Sequence, residues 1–183
     1  MVSALYTGPR SPYRKMGVDC WDVRRDARRF PGGNAVVTHP PCRGWSRLRG
    51  QARPGAGEKD LSFHALATVR RWGGVLEHPA ESSFWKVADL PRPGAAADAW
   101  GGYTLSVLQR WWGHRARKAT FLYIVGVAPA ALPDVPYRLL GAETPVENMG
   151  RPERERTPPD FARWLVEVAR LARPPVTRES PPY

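Results

Sequence analysis

The chain has 183 residues, and its 42% hydrophobic content with eight tryptophans excludes an intrinsically disordered protein. Its 28 Lys and Arg against 17 Asp and Glu give a formal net charge of +11, which favours a polyanionic partner such as nucleic acid or a nucleotide. No apolar stretch reaches the length of a membrane span, and the N-terminal segment lacks the pattern of a signal peptide. With only two cysteines, we expect a cytoplasmic protein with free thiols and no membrane partner.

The first half of the chain predicts three short strands. The sequence SALYT at 3–7 is stopped by a Gly-Pro pair, and GVDCWDV at 17–23 is followed by a short arginine-rich helical turn. The apolar run NAVVTH at 34–39 is bounded by glycines and prolines, which is typical of a strand buried in a parallel sheet. The glycine- and arginine-rich stretch 44–57 is predicted to be a loop.

The second half predicts two helices and three further strands. Residues 58–74 place apolar side chains near helical spacing, with acids in the first turn and arginines in the last. Residues 158–173 form an amphipathic helical pattern that begins with prolines. The strands are predicted at 74–79, 103–111 and 119–127. Residues 80–101 are predicted to be mostly loop with one helical turn around Phe84, and 128–158 are weakly patterned.

Strands that alternate with helices indicate an α/β protein with one layered sheet. We expect a single domain over residues 1–173 and a flexible tail at 174–183. In such sheets, ligands bind beyond the carboxyl ends of the strands. Three predicted strands end in residues that carry chemistry: Thr7-Gly8, His39-Pro40-Pro41-Cys42 and Glu77-His78. These ends are expected to converge on one crevice.

Three motifs along the chain resemble those of one enzyme family. HPPCRGWSRLRGQA, which begins at His39, is similar to the Pro-Cys loop of the DNA cytosine-C5 methyltransferases. GGVLEHP, which ends at Pro79, resembles the family's next motif, a strand that ends in a glutamate. WWGHRARKATFLYIVG resembles its later basic motif. The motifs occur in the family's order, and the likeness covers 34–126 well and 3–30 faintly.

The resemblance implies a truncated, Rossmann-like, S-adenosylmethionine-dependent methyltransferase that modifies cytosine in DNA or in a pyrimidine nucleotide. Cys42 is then the nucleophile that adds to C6 of the ring, which makes C5 reactive toward the methyl donor. Glu77 is the glutamate that holds or protonates the ring. Three basic residues complete the implied catalytic group: Arg115, Arg117 and Lys118. A cytosine in duplex DNA must be flipped out to be reached. Such chains also suggest a phage or its bacterial host as the source.

The resemblance also implies binding residues around this catalytic group. The predicted contacts to S-adenosylmethionine come from Thr7, Gly8, Asp19, Asp22 and Pro40, and the predicted contacts to substrate come from Pro41, Arg43, Ser46 and His78. The turn YTGPRSPY departs from the family pattern because it lacks the second glycine. The interval 128–158 is too short for a target-recognition domain, so specificity is minimal, a protein partner supplies it, or the substrate is not duplex DNA.

Alternatives remain at this stage. Cys42 is a nucleophile, a buried packing residue or a metal ligand. A zinc site would draw on His39, Cys42, His78 and His114, but the chain has no Cys-x-x-Cys or His-x-x-x-His pair, so we expect no metal. The chain is otherwise a catalytically inactive nucleic-acid-binding relative, or a pyrimidine-modifying enzyme that transfers a group other than methyl.

Overall fold

A computed structural model of the chain describes residues 1–46, 50, 53–138, 144, 145 and 148–174. Six strands form one sheet: Val2–Leu5 (β1), Asp19–Trp21 (β2), Ala35–Thr38 (β3), Gly74–Pro79 (β4), Tyr103–Leu108 (β5) and Ala119–Val125 (β6). Their order in the sheet is β2-β1-β3-β4-β6-β5. The first four are mutually parallel, whereas β6 runs antiparallel to both β4 and β5. The sheet is therefore mixed.

Helices connect and flank the strands. They are Asp60–Trp72 (α1), Phe84–Val87 (α2), Arg151–Glu155 (α3) and Pro159–Leu171 (α4). Short 3-10 turns lie at Pro12–Met16, Ala27–Arg29, Gln109–Trp112 and Pro129–Ala131. The predicted α/β class with flanking helices is confirmed. None of the helices in the described ranges is long and apolar enough to cross a membrane.

The two faces of the sheet pack against different helices. On one face, Phe161 and Leu165 of α4 pack with Val37 and Val75 of the central strands. On the other face, Leu66 of α1 packs in a second cluster, and its sheet residues include Leu5, Val36 and Leu76. Alternate residues of one strand point to opposite faces, which places the neighbours Val75 and Leu76 in different clusters. This alternation also decides which polar residues share a side at the strand ends.

Some predicted boundaries differ from the structure. The strand predicted at 103–111 ends at Leu108, and a 3-10 turn follows up to Trp112. Trp112 is buried against Phe161 and Trp164, with ring centroids 4.8 and 5.3 Å apart, so the chain leaves the sheet to bury this indole. Of the predicted loop 44–57, residues 47–49, 51 and 52 lie outside the described residues. The predicted tail lies outside them from residue 175 onward.

Candidate active site

The carboxyl ends of β1, β3 and β4 lie side by side at one edge of the sheet. Leu5 pairs with Thr38 and Thr38 pairs with Leu76, so the residues after them emerge together. The backbone N–H of His39 donates to the carbonyl of Leu5 over 3.2 Å and extends this pairing by one residue. The predicted convergence of these strand ends on one edge is therefore present in the structure.

A hydrogen-bonded chain of side chains crosses this edge. The hydroxyl of Tyr13 lies 2.7 Å from His39 Nε2, and His39 Nδ1 lies 3.0 Å from Glu77 Oε2. Tyr13 is buried, and the side chains of His39 and Glu77 are only 15% and 13% exposed. Tyr13 comes from the 3-10 turn after β1, His39 directly follows β3, and Glu77 lies in β4. Three segments thus contribute one residue each.

The second carboxylate oxygen of Glu77 is also engaged. Gln109 Nε2 donates to Glu77 Oε1 over 3.0 Å and to the hydroxyl of Thr120 over 3.1 Å. Gln109 is buried and lies in the 3-10 turn directly after β5. Glu77 therefore accepts a hydrogen bond at each oxygen, which fixes the plane of its carboxyl group.

The environment keeps Glu77 ionised. Burial by itself raises the pKa of this carboxyl, but the hydrogen bond from His39 and the charge of Lys118 outweigh burial and lower the pKa. A carboxylate can only accept hydrogen bonds, which agrees with the two N–H groups directed at it. Glu77 is thus a carboxylate at neutral pH.

Cys42 is held at the start of a tight turn. Its carbonyl accepts hydrogen bonds from the backbone N–H groups of Trp45 and Ser46 at 3.0 and 2.9 Å. Trp45 is buried against Phe84, and its own carbonyl accepts from the backbone N–H of Ser83 over 3.0 Å. The turn is therefore anchored to α2 by packing and hydrogen bonds. Cys42 itself is partly exposed, unlike Cys20, which is buried in the core.

Two charged neighbours, Glu77 and Lys118, affect the pKa of the Cys42 thiol. Burial raises the pKa of Cys42, the carboxylate of Glu77 raises it further, and Lys118 lowers it. The net pKa is above its ordinary value, so Cys42 is a thiol at neutral pH. A nucleophile in this state needs a base to take its proton, and Glu77 is a carboxylate within electrostatic range.

Of the three predicted basic residues, only Lys118 shares this environment. It lies directly before β6 with a φ of 41°, and its Nζ donates to the carbonyl of Arg156 over 2.9 Å. Burial lowers the pKa of Lys118, while Glu77 and Cys42 act in the opposite direction. Arg115 is instead an exposed residue that pairs with Glu153 over 2.8 Å.

Arg117 is also exposed, on the same segment as Arg115. Neither arginine acts on the pKa of Cys42 or Glu77 in the way that Lys118 does. The structure therefore brings together Cys42, Glu77 and Lys118, three of the residues predicted to be catalytic, and leaves the two arginines on the surface. Their predicted role in the chemistry is not supported by this geometry.

The predicted substrate-binding residues of the Pro-Cys turn lie where they were expected. Pro41 and Ser46 are partly exposed around Cys42. Arg43 is exposed and forms a two-pronged ion pair with the buried carboxylate of Glu58, just before α1. This pair ties the turn to the start of α1, so Arg43 supports the shape of the turn through its contact with Glu58.

The prediction that His78 binds substrate is wrong, because His78 is fully buried. It follows Glu77 in β4 and so points to the opposite face of the sheet. There its ring packs on Phe84 and Trp85, with centroids 5.3 and 6.3 Å apart. Burial lowers the pKa of His78 to about 4, so the imidazole is neutral.

Two of the residues predicted to bind the cofactor lie at the ends of β1 and β2. Gly8 is exposed, and a Cβ at this position would have no heavy atom within 4 Å. Asp22 follows β2 directly; hydrogen bonds from the backbone N–H of Arg25 and of Arg24, together with Arg14 at 2.5 Å, lower its pKa. Open space beside Gly8 and an ionised carboxylate after β2 fit a nucleoside with ribose hydroxyls.

The other residues predicted to bind the cofactor fit less well. Pro40 is buried behind the Pro-Cys turn, and the N–H and hydroxyl of Thr7 both face the carbonyl of Trp21. Asp19 starts β2 and so lies away from the carboxyl edge. Its carboxylate accepts hydrogen bonds from Ser3, Trp21 and Arg25. The prediction that Asp19 binds the cofactor is therefore wrong, because these contacts give it a structural role.

The side chains considered for zinc are not brought together. His39 and Cys42 share the carboxyl edge, but His78 lies on the other face, and His114 is buried with its Nδ1 3.0 Å from the N–H of Ala116. Within the described ranges, no group of three or more His, Cys, Asp or Glu side chains is arranged to hold a metal ion.

Three residues at this edge were missed as members of the site. His39 was considered only as a strand-end residue and a zinc ligand, and Tyr13 and Gln109 were not singled out. The position of His39 beside the Pro-Cys turn is a signal that points to it. Tyr6 was also missed; it follows β1 with a φ of 61°, which is uncommon for an aromatic residue, and its hydroxyl lies 2.7 Å from His64 Nδ1.

Comparisons with known proteins give no significant match for the chain, whether to a protein-family model, a curated protein or a solved structure. The function is therefore argued from the motifs and from the geometry of this edge.

Proposed function

We propose that the protein is a cytosine-C5 methyltransferase-like enzyme in which Cys42 adds to C6 of a pyrimidine. The observation that carries the proposal is the strand pairing at the carboxyl edge, where the ends of β3 and β4 and the start of β6 meet. This pairing brings Cys42, Glu77 and Lys118 within electrostatic range of one another. Each comes from a different one of the three motifs, and the three residues are separated by 35 and 41 positions in the sequence. Ligands of α/β sheets bind at this edge.

The proton inventory follows from the ionisation of the two groups. The Cys42 thiol gives its proton to the Glu77 carboxylate, and the sulfur electron pair forms the bond to C6. The C5=C6 π pair moves to C4–C5, the C4=N3 π pair moves onto N3, and N3 takes the proton from Glu77. Glu77 returns to its carboxylate form, and the ring has become an enamine that is nucleophilic at C5. After transfer to C5, water takes the C5 proton, the C5–H electron pair forms the C5=C6 bond, and the sulfur leaves with the S–C6 pair. The N3 proton returns through Glu77 to the Cys42 thiolate, which restores both groups.

The cofactor in this proposal is S-adenosylmethionine, which supplies an electrophilic methyl group when bound. The carboxylate of Asp22 would accept from the ribose hydroxyls, in exchange for the exposed side chain of Arg14. The open backbone at Gly8 would lie against the rest of the nucleoside. Pro40 would form the floor of the site below the Pro-Cys turn.

The substrate is a cytosine in DNA or in a pyrimidine nucleotide. The net charge of +11 supports a phosphate-bearing substrate, because phosphate contacts supply much of the affinity in such complexes. Arg115 and Arg117 are exposed on the segment that leads to Lys118. In this proposal they contact phosphate, and Arg115 exchanges its exposed ion pair with Glu153 for that contact. Residues 128–158 contain only short 3-10 and helical segments in their described part, so a protein partner would supply extended target recognition.

A donor-independent experiment tests the cysteine chemistry. Reversible addition to C6 makes C5 exchange its hydrogen with water, so DNA or dCMP tritiated at cytosine C5 should release tritium with wild-type protein and no cofactor. Cys42→Ala should abolish the release, and Cys20→Ala, which removes the buried core thiol, should not. Equal release by wild type and Cys42→Ala would contradict the proposal.

A second experiment tests the transferred group. Labelled S-adenosylmethionine with DNA or dCMP should give product labelled at cytosine C5 with wild-type protein only. Tritium release without methyl transfer would support a pyrimidine-modifying enzyme that uses another donor. Nucleic-acid binding without tritium release would instead support the inactive relative.

A further inference from the structure

We propose that His39, supported by Tyr13, is a positioning residue that sets the protonation state and orientation of Glu77. The inference rests on the proposed function for its catalytic meaning, but the hydrogen-bonded chain itself can be measured on the protein alone. Tyr13, His39 and Glu77 are joined by contacts of 2.7 and 3.0 Å through the two nitrogens of one imidazole.

The chemistry of the three groups decides the direction of each hydrogen bond. Glu77 is a carboxylate, so it can only accept, and Nδ1 of His39 must carry the proton on that side. In a neutral imidazole, Nε2 then has a lone pair, and the Tyr13 hydroxyl donates to it. Tyr13 keeps its proton, because burial and then the charges of Glu77 and Cys20 raise its pKa well above the ordinary value.

This arrangement fixes one tautomer of His39. The other neutral tautomer would carry its proton on Nε2, so the lone pair of Nδ1 would face the carboxylate oxygen Oε2 of Glu77 and two acceptors would meet. Tyr13 thus keeps the Nδ1–H of His39 directed at Oε2 of Glu77, while Gln109 fixes Oε1. The carboxylate is consequently held in one plane and in its ionised form, ready to take the thiol proton of Cys42.

Several titratable groups act on the site. Tyr13 faces it from the turn after β1, Lys118 from the start of β6, and Cys42 from the turn after β3. His78 acts on Glu77 from the other face of β4, and Glu155 of α3 acts on Cys42 and Lys118. None of these groups affects Glu77 as strongly as His39 does. The hydrogen bond from His39 is the largest single effect that lowers the pKa of Glu77 against the effect of burial.

Loss of the hydrogen-bonded chain formed by Tyr13, His39 and Glu77 should change the pH profile of activity. The active form of Glu77 is the carboxylate, so activity falls at low pH as Glu77 takes up a proton. His39→Ala removes the hydrogen bond that contributes most to lowering the pKa of Glu77, although Lys118 still acts on it. Tyr13→Phe removes the hydroxyl that favours one tautomer of His39. In both variants the acidic limb of the tritium-release profile should move to higher pH. At neutral pH, we expect a decrease of about tenfold for Tyr13→Phe and a larger one for His39→Ala.

The experiment compares wild type, Tyr13→Phe, His39→Ala and Tyr123→Phe. Tyr123 is the matched control because it is also a buried tyrosine, and its hydroxyl donates to the carboxylate of Asp98 over 2.6 Å. It is not part of the hydrogen-bonded chain. Tyr123→Phe should keep the wild-type pH profile. Profiles of Tyr13→Phe and His39→Ala that superimpose on that of wild type would overturn the inference.

NMR of the imidazole nitrogens tests the hydrogen-bonded chain without any turnover, because it reports which nitrogen of His39 carries the proton. In wild type, the neutral form of His39 should be the Nδ1–H tautomer, and in Tyr13→Phe it should become a mixture of tautomers. Carboxyl-carbon NMR should report a higher pKa for Glu77 in His39→Ala than in wild type. An Nε2–H tautomer in wild type would overturn the inference. An inactive wild type with the expected NMR result would instead overturn the proposed function alone.

Discussion

The ammonium of Lys118 donates a hydrogen bond to the backbone carbonyl of Arg156, 2.9 Å away, and joins the start of β6 to the segment between α3 and α4. Lys118 is thereby held beside Cys42 and Glu77, where it lowers the pKa of both groups. The position of one lysine thus depends on a backbone contact that is 38 residues away in the sequence.

Replacing Lys118 with Met should make the Cys42 thiol less reactive. Loss of the positive charge raises the pKa of Cys42 further, so a smaller fraction is thiolate at a given pH. We expect alkylation of Cys42 by iodoacetamide to slow about three- to tenfold at pH 8, as followed by peptide mass spectrometry. Lys86→Met, which changes an exposed lysine of α2, is the control and should leave the rate unchanged. An unaltered rate in Lys118→Met would contradict this role.

His78 should make the stability of the protein fall in mild acid. The pKa of His78 is about 4 in the folded protein and about 6.5 in the unfolded chain, so the unfolded chain takes up the proton first as the pH falls. The neutral His78 contributes about 3 kcal/mol to the free energy of unfolding. This contribution is fully present above about pH 6.5 and is lost as the pH falls from there toward 4. Urea unfolding at several pH values should show this slope.

His78→Asn supplies the comparison for that measurement. The variant loses ring packing against Phe84 and Trp85, which lowers its stability at every pH, so the slope between pH 4 and 6.5 is the quantity to compare. That slope should be shallower than in wild type. A slope that is equal in the two proteins would mean that His78 is not the titrating group.

Much of the fold is predictable from local patterns. The buried runs of β3, β4 and β6 and the amphipathic face of α4 were all located from hydrophobic periodicity. The order of β5 and β6 and the antiparallel direction of β6 were not predicted, because they depend on contacts between distant segments. The three-residue strand β2 was too short for its ends to be predicted from the sequence. Asp19 lies at its start and Asp22 lies just beyond its end, so the two aspartates are at opposite edges of the sheet.

The candidate site was predictable in part. Cys42 lies in the turn after β3 and Glu77 lies within β4, and each was predicted as a site residue from a recognisable motif. His78 was misassigned, although strand alternation places it opposite Glu77 and could have excluded it. Tyr13 lies in a 3-10 turn without a strong pattern, and only the folded structure brings it to His39.

Two glycines should respond to alanine in opposite ways. Gly74 has a φ of 117°, and a Cβ there would lie 2.0 Å from the carbonyl oxygen of Val36 in the neighbouring strand. Backbone cannot move aside as a flexible side chain does, so Gly74→Ala should cost about 3 kcal/mol or more, or prevent folding. Gly8→Ala has open space around the new methyl and should change the free energy of unfolding by less than about 0.5 kcal/mol. Equal stabilities of the two variants in urea would contradict the close approach of β3 and β4.

The two aspartates of the β2 region should separate binding from stability. Asp22 lies at the carboxyl edge, and its charge is the feature proposed to hold ribose hydroxyls, so Asp22→Asn should weaken S-adenosylmethionine binding about tenfold in calorimetry. Asp19 accepts hydrogen bonds from Ser3, Trp21 and Arg25 inside the sheet, so Asp19→Asn should lower the free energy of unfolding by about 1–3 kcal/mol and leave the dissociation constant unchanged. The opposite result, with binding lost in Asp19→Asn and kept in Asp22→Asn, would place the nucleoside at the start of β2 and contradict the site described above. Loss of binding in neither variant would mean that the ribose is held elsewhere, because a carboxylate in contact with its hydroxyls cannot be neutralised without cost.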